Sequence, residues 1–198
     1  MLPPKLAQIM INLSKVKKDQ FLLDPFCVSG TIASEALVMG CENVIASDKS
    51  AKAVNDTRNN MACLRRNVDI KTEAKILESD VLYIGNNIKA GSIDAIVMEP
   101  YLGPQRGKVD QVKLQKELNN LYSQAIKVFS KILTSKGRIV MIWPVRNLGD
   151  KQMLLSPDIG GFDMIKHLSQ EQRQLHKNNF SKRGNVVYGR EGQKVWRE

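Results

Sequence analysis

Four acidic residues, Asp24, Asp48, Asp80 and Glu99, each stand at or just beyond the end of a short apolar run. A carboxylate there is an acceptor-only group: it takes hydrogen bonds from hydroxyls or an amine, and it attracts a cation. Asp24 opens the stretch Asp24-Pro25-Phe26-Cys27-Val28-Ser29-Gly30-Thr31, a glycine-containing turn of the kind that lets a ligand approach backbone and a helix N-terminus. Asp48 follows 24 residues later, where it suits the two hydroxyls of an adenosine ribose. Glu99 opens Glu99-Pro100-Tyr101-Leu102-Gly103-Pro104. A carboxylate, a proline carbonyl and an aromatic ring together suit an amino group on a flat ring.

Such residues act together only if a scaffold gathers them, and the hydrophobic pattern predicts one. Residues 4–18 have helical spacing, with Pro4 in the first turn and Leu6, Ile9, Met10 and Leu13 on one face. Residues 21–26 read as a buried strand, Gly30 and Thr31 open a helix that Gly40 ends, and 43–48 form a second strand. Ser50 can cap a helix to about Arg66, with strands at 74–77 and 92–98 beyond it. A long amphipathic helix spans 109–133, and a fifth strand spans 137–143, stopped by Pro144. Residues 147–161 read as loop; 162–168 and 185–190 are candidate final strands. Alternation of this kind predicts an α/β fold with a doubly wound parallel sheet. Ligands bind at the carboxyl ends of such strands, where Asp24–Thr31, Asp48, Asp80 and Glu99–Pro104 fall.

The ligand can be narrowed by charge. A dinucleotide site wants G-x-G-x-x-G so that backbone approaches a pyrophosphate; here Gly30 stands alone and Asp24 would repel one. S-adenosylmethionine (SAM) has no phosphate and carries an ammonium and a sulfonium that an acid attracts. Asp24, Gly30, Asp48 and Asp80 in order therefore favour SAM over NAD. An exocyclic base amine is a poor nucleophile because its lone pair is delocalised. Glu99 and the Pro100 carbonyl can accept its hydrogens and leave the lone pair aimed at a methyl group. Tyr101 or Leu102 can support the face of the base.

Thirty Lys and Arg against twenty Asp and Glu leave a net charge of +10, which points to a polyanionic partner, nucleic acid being the commonest. Residues 1–18 hold Lys5, Lys15, Lys17 and Lys18 and no acid. Cys27, Cys41 and Cys63 are an odd, widely spaced set, which argues against disulfides and a tetrahedral metal site and fits the cytoplasm. No metal is expected; His167 and His176 read as surface or RNA-contacting residues. Cys27 reads as structural, since an amine target needs no covalent step. There is no membrane-length apolar run and no secretory signal.

In this order, residues 2–14, the Asp24–Thr31 loop with Glu35-Ala36, and Glu99-Pro100-Tyr101-Leu102-Gly103 resemble the class I SAM-dependent RNA methylases linked to THUMP domains. Among these, the chain is most similar to the tRNA guanosine 2-amino methyltransferases. The resemblance covers residues 1–198 as one methyltransferase domain, a helix at 1–18 and a catalytic core at 19–198, with the THUMP domain absent from the chain, which reads either as one part of a longer protein that carries it or as a single-domain relative. It implies a mostly parallel, seven-stranded Rossmann-like sheet with helices on both faces, and SAM-dependent methylation of a guanine amine in RNA, tRNA first. It further implies that Asp24, Pro25, Phe26, Cys27, Ser29, Gly30 and Thr31 line the methionine end of SAM. Asp48 would hold the ribose beside Lys49, and Asp80 the adenine amine beside Val81. Glu99, Pro100, Tyr101 and Leu102 would form the catalytic segment; 187–190 and 193–195 would be the last strand pair.

The chain departs from that pattern at two motifs. The loop usually carries glycine where Val28 stands. The amine-binding motif is usually Asp- or Asn-Pro-Pro-Tyr, so Tyr101 takes the place of the second proline and Leu102 that of the tyrosine. If the loop keeps the family's shape, Val28 bears backbone strain; if it relaxes, the valine narrows the pocket. The alternatives to guanine methylation are an adenine 6-amino methyltransferase on RNA or DNA and a non-catalytic SAM- or RNA-binding module.

Overall fold

The computed structural model describes residues 2–104, 109–148, 151–165, 171 and 195–197. It divides into two compact units, Met1–Pro100 with Lys127–Met141, and Tyr101–Ile126 with Ile142–Glu198.

In the first unit, helix α1 (Pro4–Ser14) starts with proline, whose missing N–H costs nothing there, and ends at Lys15, which turns left-handed with φ 55°. Its buried face is Ala7, Met10, Ile11 and Ser14. Ile9 is half exposed, so the face is rotated from the expected Leu6, Ile9, Met10 and Leu13. Two small residues let the helix sit close, and the Ser14 hydroxyl is satisfied by the Ile11 carbonyl at 2.6 Å.

The strands are β1 (Phe21–Asp24), β2 (Asn43–Asp48), β3 (Lys75–Glu78), β4 (Ile93–Met98) and β5 (Leu133–Met141). They lie in the order β3-β2-β1-β4-β5, all parallel. Leu22 and Leu23 of β1 and Ile93, Ala95, Ile96, Val97 and Met98 of β4 are wholly buried, as strands covered on both faces require. Helices α2 (Thr31–Val38) and α3 (Ala51–Asn67) link β1 to β2 and β2 to β3. α1 packs on β4, β5 and α2, while α2 packs on β1, β2 and α3. Ser50 caps α3 by accepting from the Ala53 N–H at 3.4 Å. A short 3-10 turn, Ile84–Asn86, precedes β4.

Helix α4 (Gln111–Ile132) runs directly into β5, four residues earlier than the expected strand start at 137. The pairing of β4 with β5 shifts register between Ile93 and Ala95, which absorbs the extra residues.

The expected seven-stranded sheet is not what forms among the described residues. The parallel sheet has five strands, and a separate antiparallel sheet in the second unit has three, ordered β7-β6-β8. These are β6 (Pro144–Leu148), β7 (Lys151–Met153) and β8 (Val195–Arg197). Pro144 does not stop β5, which already ends at Met141; it is the first residue of β6, a position that tolerates a missing donor. The stretch 147–161, expected as loop, holds the end of β6 and all of β7. Val195 lies in β8, which pairs with β6; 187–190, 193–194 and both histidines lie outside the described residues. Residues 162–165 of the candidate strand at 162–168 are not strand.

Because Ile96 sits mid-strand in β4 without solvent contact, Ile96→Ala is expected to cost about 2–5 kcal/mol. Urea denaturation measures it; a loss under 1 kcal/mol would mean that this part of the core readily collapses.

Candidate active site

The chain starts the sheet at β1, builds outward to β3, then returns to β4 on the other side of β1. That reversal opens a crevice at the carboxyl ends of β1 and β4. Asp24 ends β1, and Glu99 and Pro100 directly follow β4. Asp48 ends β2 on the other flank, where its main chain pairs beyond Asp24, which is level with Ala46.

Asp24 is 1 % exposed. Its Oδ1 accepts the Phe26 N–H at 3.2 Å. Burial pushes its pKa up to about 8; the Phe26 bond opposes this, and the nearby charges of Asp48 and Glu99 add to it. Asp48 and Glu99 are therefore each within electrostatic reach of Asp24.

The loop after β1 is tied to β2 and α3. The Cys27 N–H donates to the Ser47 carbonyl at 2.9 Å. The Val28 N–H donates to Asp48 Oδ2 at 3.1 Å, and the Ser50 N–H to Asp48 Oδ1 at 2.9 Å. Asp48 thus has both oxygens on backbone donors, which aims the carboxylate and leaves further lone pairs for a ligand. From α3, Thr57 Oγ1 donates to the Val28 carbonyl at 3.2 Å, and Asn60 Nδ2 to the Ser29 carbonyl at 2.9 Å.

Two loop residues have left-handed backbone. Gly30 (φ 81°) stands just before α2, and a Cβ there would come within 2.7 Å of Thr57 Cγ2, so glycine is required twice over. Val28 has φ 50° and is 57 % exposed. Of the two expected outcomes, the strained one is found: a β-branched residue at positive φ costs about 1–3 kcal/mol.

The remaining expected residues fall as follows. Pro25 and Cys27 are buried, Phe26, Ser29 and Thr31 half-buried, and Lys49 exposed. Burial pushes the Cys27 thiol up to about 12, which keeps it protonated and unreactive. Asp80 is half-buried beyond β3, its Oδ1 taking the Leu82 N–H at 2.9 Å, with Val81 buried beside it. Within the second unit, Tyr101 is 54 % exposed, its carbonyl accepts the Tyr122 hydroxyl at 2.8 Å, and Leu102 is buried. The boundary between the units falls between Pro100 and Tyr101. Among the described residues, no group of three or more His, Cys, Asp and Glu is arranged to hold a metal, and no helix is long and apolar enough to cross a membrane.

Sequence reasoning missed Thr57 and Asn60. They lie three apart on α3, and Thr57 is wholly buried. The available signal was a threonine at a core position of an otherwise polar helix.

A parallel sheet with this strand order, flanking helices and acids at the strand ends is the Rossmann-like fold of the class I SAM-dependent methyltransferases. The profile of the RMKL-like methyltransferase domain family matches residues 1–156, and the chain belongs to that family. It is 32% identical over 141 residues to the tRNA (guanine(10)-N2)-dimethyltransferase of Methanothermobacter thermautotrophicus, a match covering 71% of this chain and 38% of that protein. The chain thus spans little more than a third of that relative's length. Among solved structures, TrmN from Thermus thermophilus superposes with a TM-score of 0.59 at 26% identity, over 72% of this chain and 38% of that one. A putative SAM-dependent methyltransferase from Methanococcus maripaludis shares the fold, with a TM-score of 0.50 at 21% identity, over 71% of this chain and 54% of that one.

The raised pKa of Asp24 has a consequence for stability. The folded chain keeps this proton to about pH 8, whereas an unfolded aspartate releases it near the ordinary value of 3.8. Folded-state stability from this group is therefore full below about pH 4 and is lost as pH rises towards 8. Asp24→Asn keeps the acceptor for Phe26 and removes the titration. Relative to the native chain, the variant is expected to gain stability between pH 5 and pH 8, read by urea denaturation; an equal difference at both pH values would contradict the burial argument.

Proposed function

We propose that this chain is a SAM-dependent methyltransferase domain that methylates the exocyclic 2-amine of guanine in tRNA. The observation that carries the reading is the joining of Glu99-Pro100 to the end of β4, beside the buried Asp24 of β1. The kinship with a tRNA guanine N2-dimethyltransferase supports the choice of base and RNA.

The donor set fits SAM. The groups that bear on Asp24 are one backbone N–H and two more carboxylates. A ligand that brings a fixed positive charge therefore favours the ionised form of Asp24, whereas a pyrophosphate meets repulsion. Asp48, aimed by the Val28 and Ser50 N–H groups, would take the ribose hydroxyls. The loop from Asp24 to Thr31 would line the methionine end, Lys49 would lie beside the adenine, and Asp80 with Val81 would meet its edge. Bound there, SAM supplies an electrophilic methyl group on a sulfonium.

The chain's own work is orientation. Glu99 and the Pro100 carbonyl would accept the two amine hydrogens and turn the nitrogen lone pair out of conjugation with the ring. Tyr101 or Leu102 would support the base. Once the nitrogen has gained a methyl it must lose a proton, and the Glu99 carboxylate takes it directly or through water. Neither Cys27, protonated and buried, nor a metal is called on. The net charge of +10 supports phosphate contacts. A separate RNA-binding domain of THUMP type would supply further docking in a longer protein.

Incubation with methyl-labelled SAM and bulk tRNA, followed by nucleoside analysis, tests the reading. Label in N2-methylguanosine supports it; label only in N6-methyladenosine moves the target to adenine, and cofactor binding with no label in any RNA would leave a binding module. Glu99→Ala is expected to lower turnover by about 10²–10⁴-fold with little change in SAM affinity. Near-native turnover would remove Glu99 from the proton's path.

A further inference from the structure

The loop after β1 has a mechanical problem. Val28 is β-branched and held at φ 50°, and its side chain is mostly in solvent, so its own packing does little to keep it there. Left alone, the loop would relax towards negative φ. Something outside it must hold the shape.

We infer that Thr57 is a positioning residue: its hydroxyl, placed between Cys27 and Val28, locks the loop in the conformation that the cofactor requires. This rests on the reading of that loop as the SAM loop. Thr57 is wholly buried, and both of its side-chain branches face the loop. Oγ1 donates to the Val28 carbonyl at 3.2 Å. A hydroxyl has one proton, so towards Cys27 Sγ, 3.4 Å away, Thr57 acts as acceptor and the thiol as donor. A relay therefore runs from the Cys27 thiol through Thr57 to the Val28 carbonyl, stapling two loop residues to α3. The methyl branch, Cγ2, occupies the space that a Cβ at Gly30 would need. Asn60, one turn on, adds a second strap to the Ser29 carbonyl.

A merely structural threonine would act on stability alone. A positioning one acts on the cofactor, and its importance depends on the strain that it opposes. Thr57→Val keeps the shape and loses the hydroxyl, leaving the Val28 carbonyl without its donor; Thr57→Ser keeps the hydroxyl. With glycine at 28 the left-handed turn needs no staple.

The test is calorimetric titration of S-adenosylhomocysteine into the full chain and into Thr57→Val, Thr57→Ser, Val28→Gly and the Val28→Gly/Thr57→Val double variant, with amide hydrogen exchange at Val28 and Gly30. Thr57→Val is expected to weaken binding about tenfold and to speed exchange at both amides. Thr57→Ser should stay within about twofold of the native chain, and the double variant should bind much like Val28→Gly alone. Unchanged binding and exchange in Thr57→Val, a loss in Thr57→Ser as large as in Thr57→Val, or an additive loss in the double variant overturns the inference. Should Thr57→Val fail to fold, Thr57→Ser and the double variant still decide it. A native chain that takes up no S-adenosylhomocysteine defeats the cofactor reading instead, and exchange at Val28 and Gly30 then judges the staple by itself.

Discussion

Parallel strands set side by side deliver their carboxyl ends to one edge, and the side chains there must share it. In this chain those side chains are acids. Asp24 and Asp48 end neighbouring strands, and Glu99 follows the strand on the other flank. The strand order that makes the crevice also buries Asp24, which is the chief penalty on its charge, and the nearby Asp48 and Glu99 add to it. The local structure follows from easing that conflict. Backbone donors from Phe26 and Val28 of the loop after β1, and from Ser50 of the turn after β2, point at the carboxylates of Asp24 and Asp48.

The loop after β1 is held in backbone that few residues adopt. Glycine accommodates it at position 30, but position 28 is valine. The cost is met from outside, by α3, which reaches the loop through Thr57 and Asn60. The edge is thus built from one helix and two strand ends acting on a single turn.

The alternation of strands and helices was legible from residue 21 to about 141 because fully covered parallel strands read as continuous apolar runs. The strand bounds at 43–48 agree residue for residue. The acids at the strand ends were legible too, since Asp24 and Glu99 stand beside proline, which stops a strand. Four features were not. The buried face of α1 is set by Ala7 and Ser14, small residues that carry little hydrophobic signal. The early start of β5 depends on a register shift against β4, a pairing that no local pattern encodes. The role of Thr57 lies in a contact 29 residues distant, and spacing along α3 says only that it is buried. The antiparallel sheet of β6, β7 and β8 escaped because β6 begins at a proline, which read as an ending.

The strained valine also bears on how this sequence is free to vary. A valine codon becomes a glycine codon by one base change, so relief of the turn lies a single mutational step away. Glycine at 28 would unburden position 57, which could then shed its hydroxyl without loss of loop shape. The other order is disfavoured, because a chain that first loses the hydroxyl carries an unsupported valine. Positions 28 and 57, far apart in sequence and on different elements, are thereby tied into one evolutionary unit with a preferred order of change.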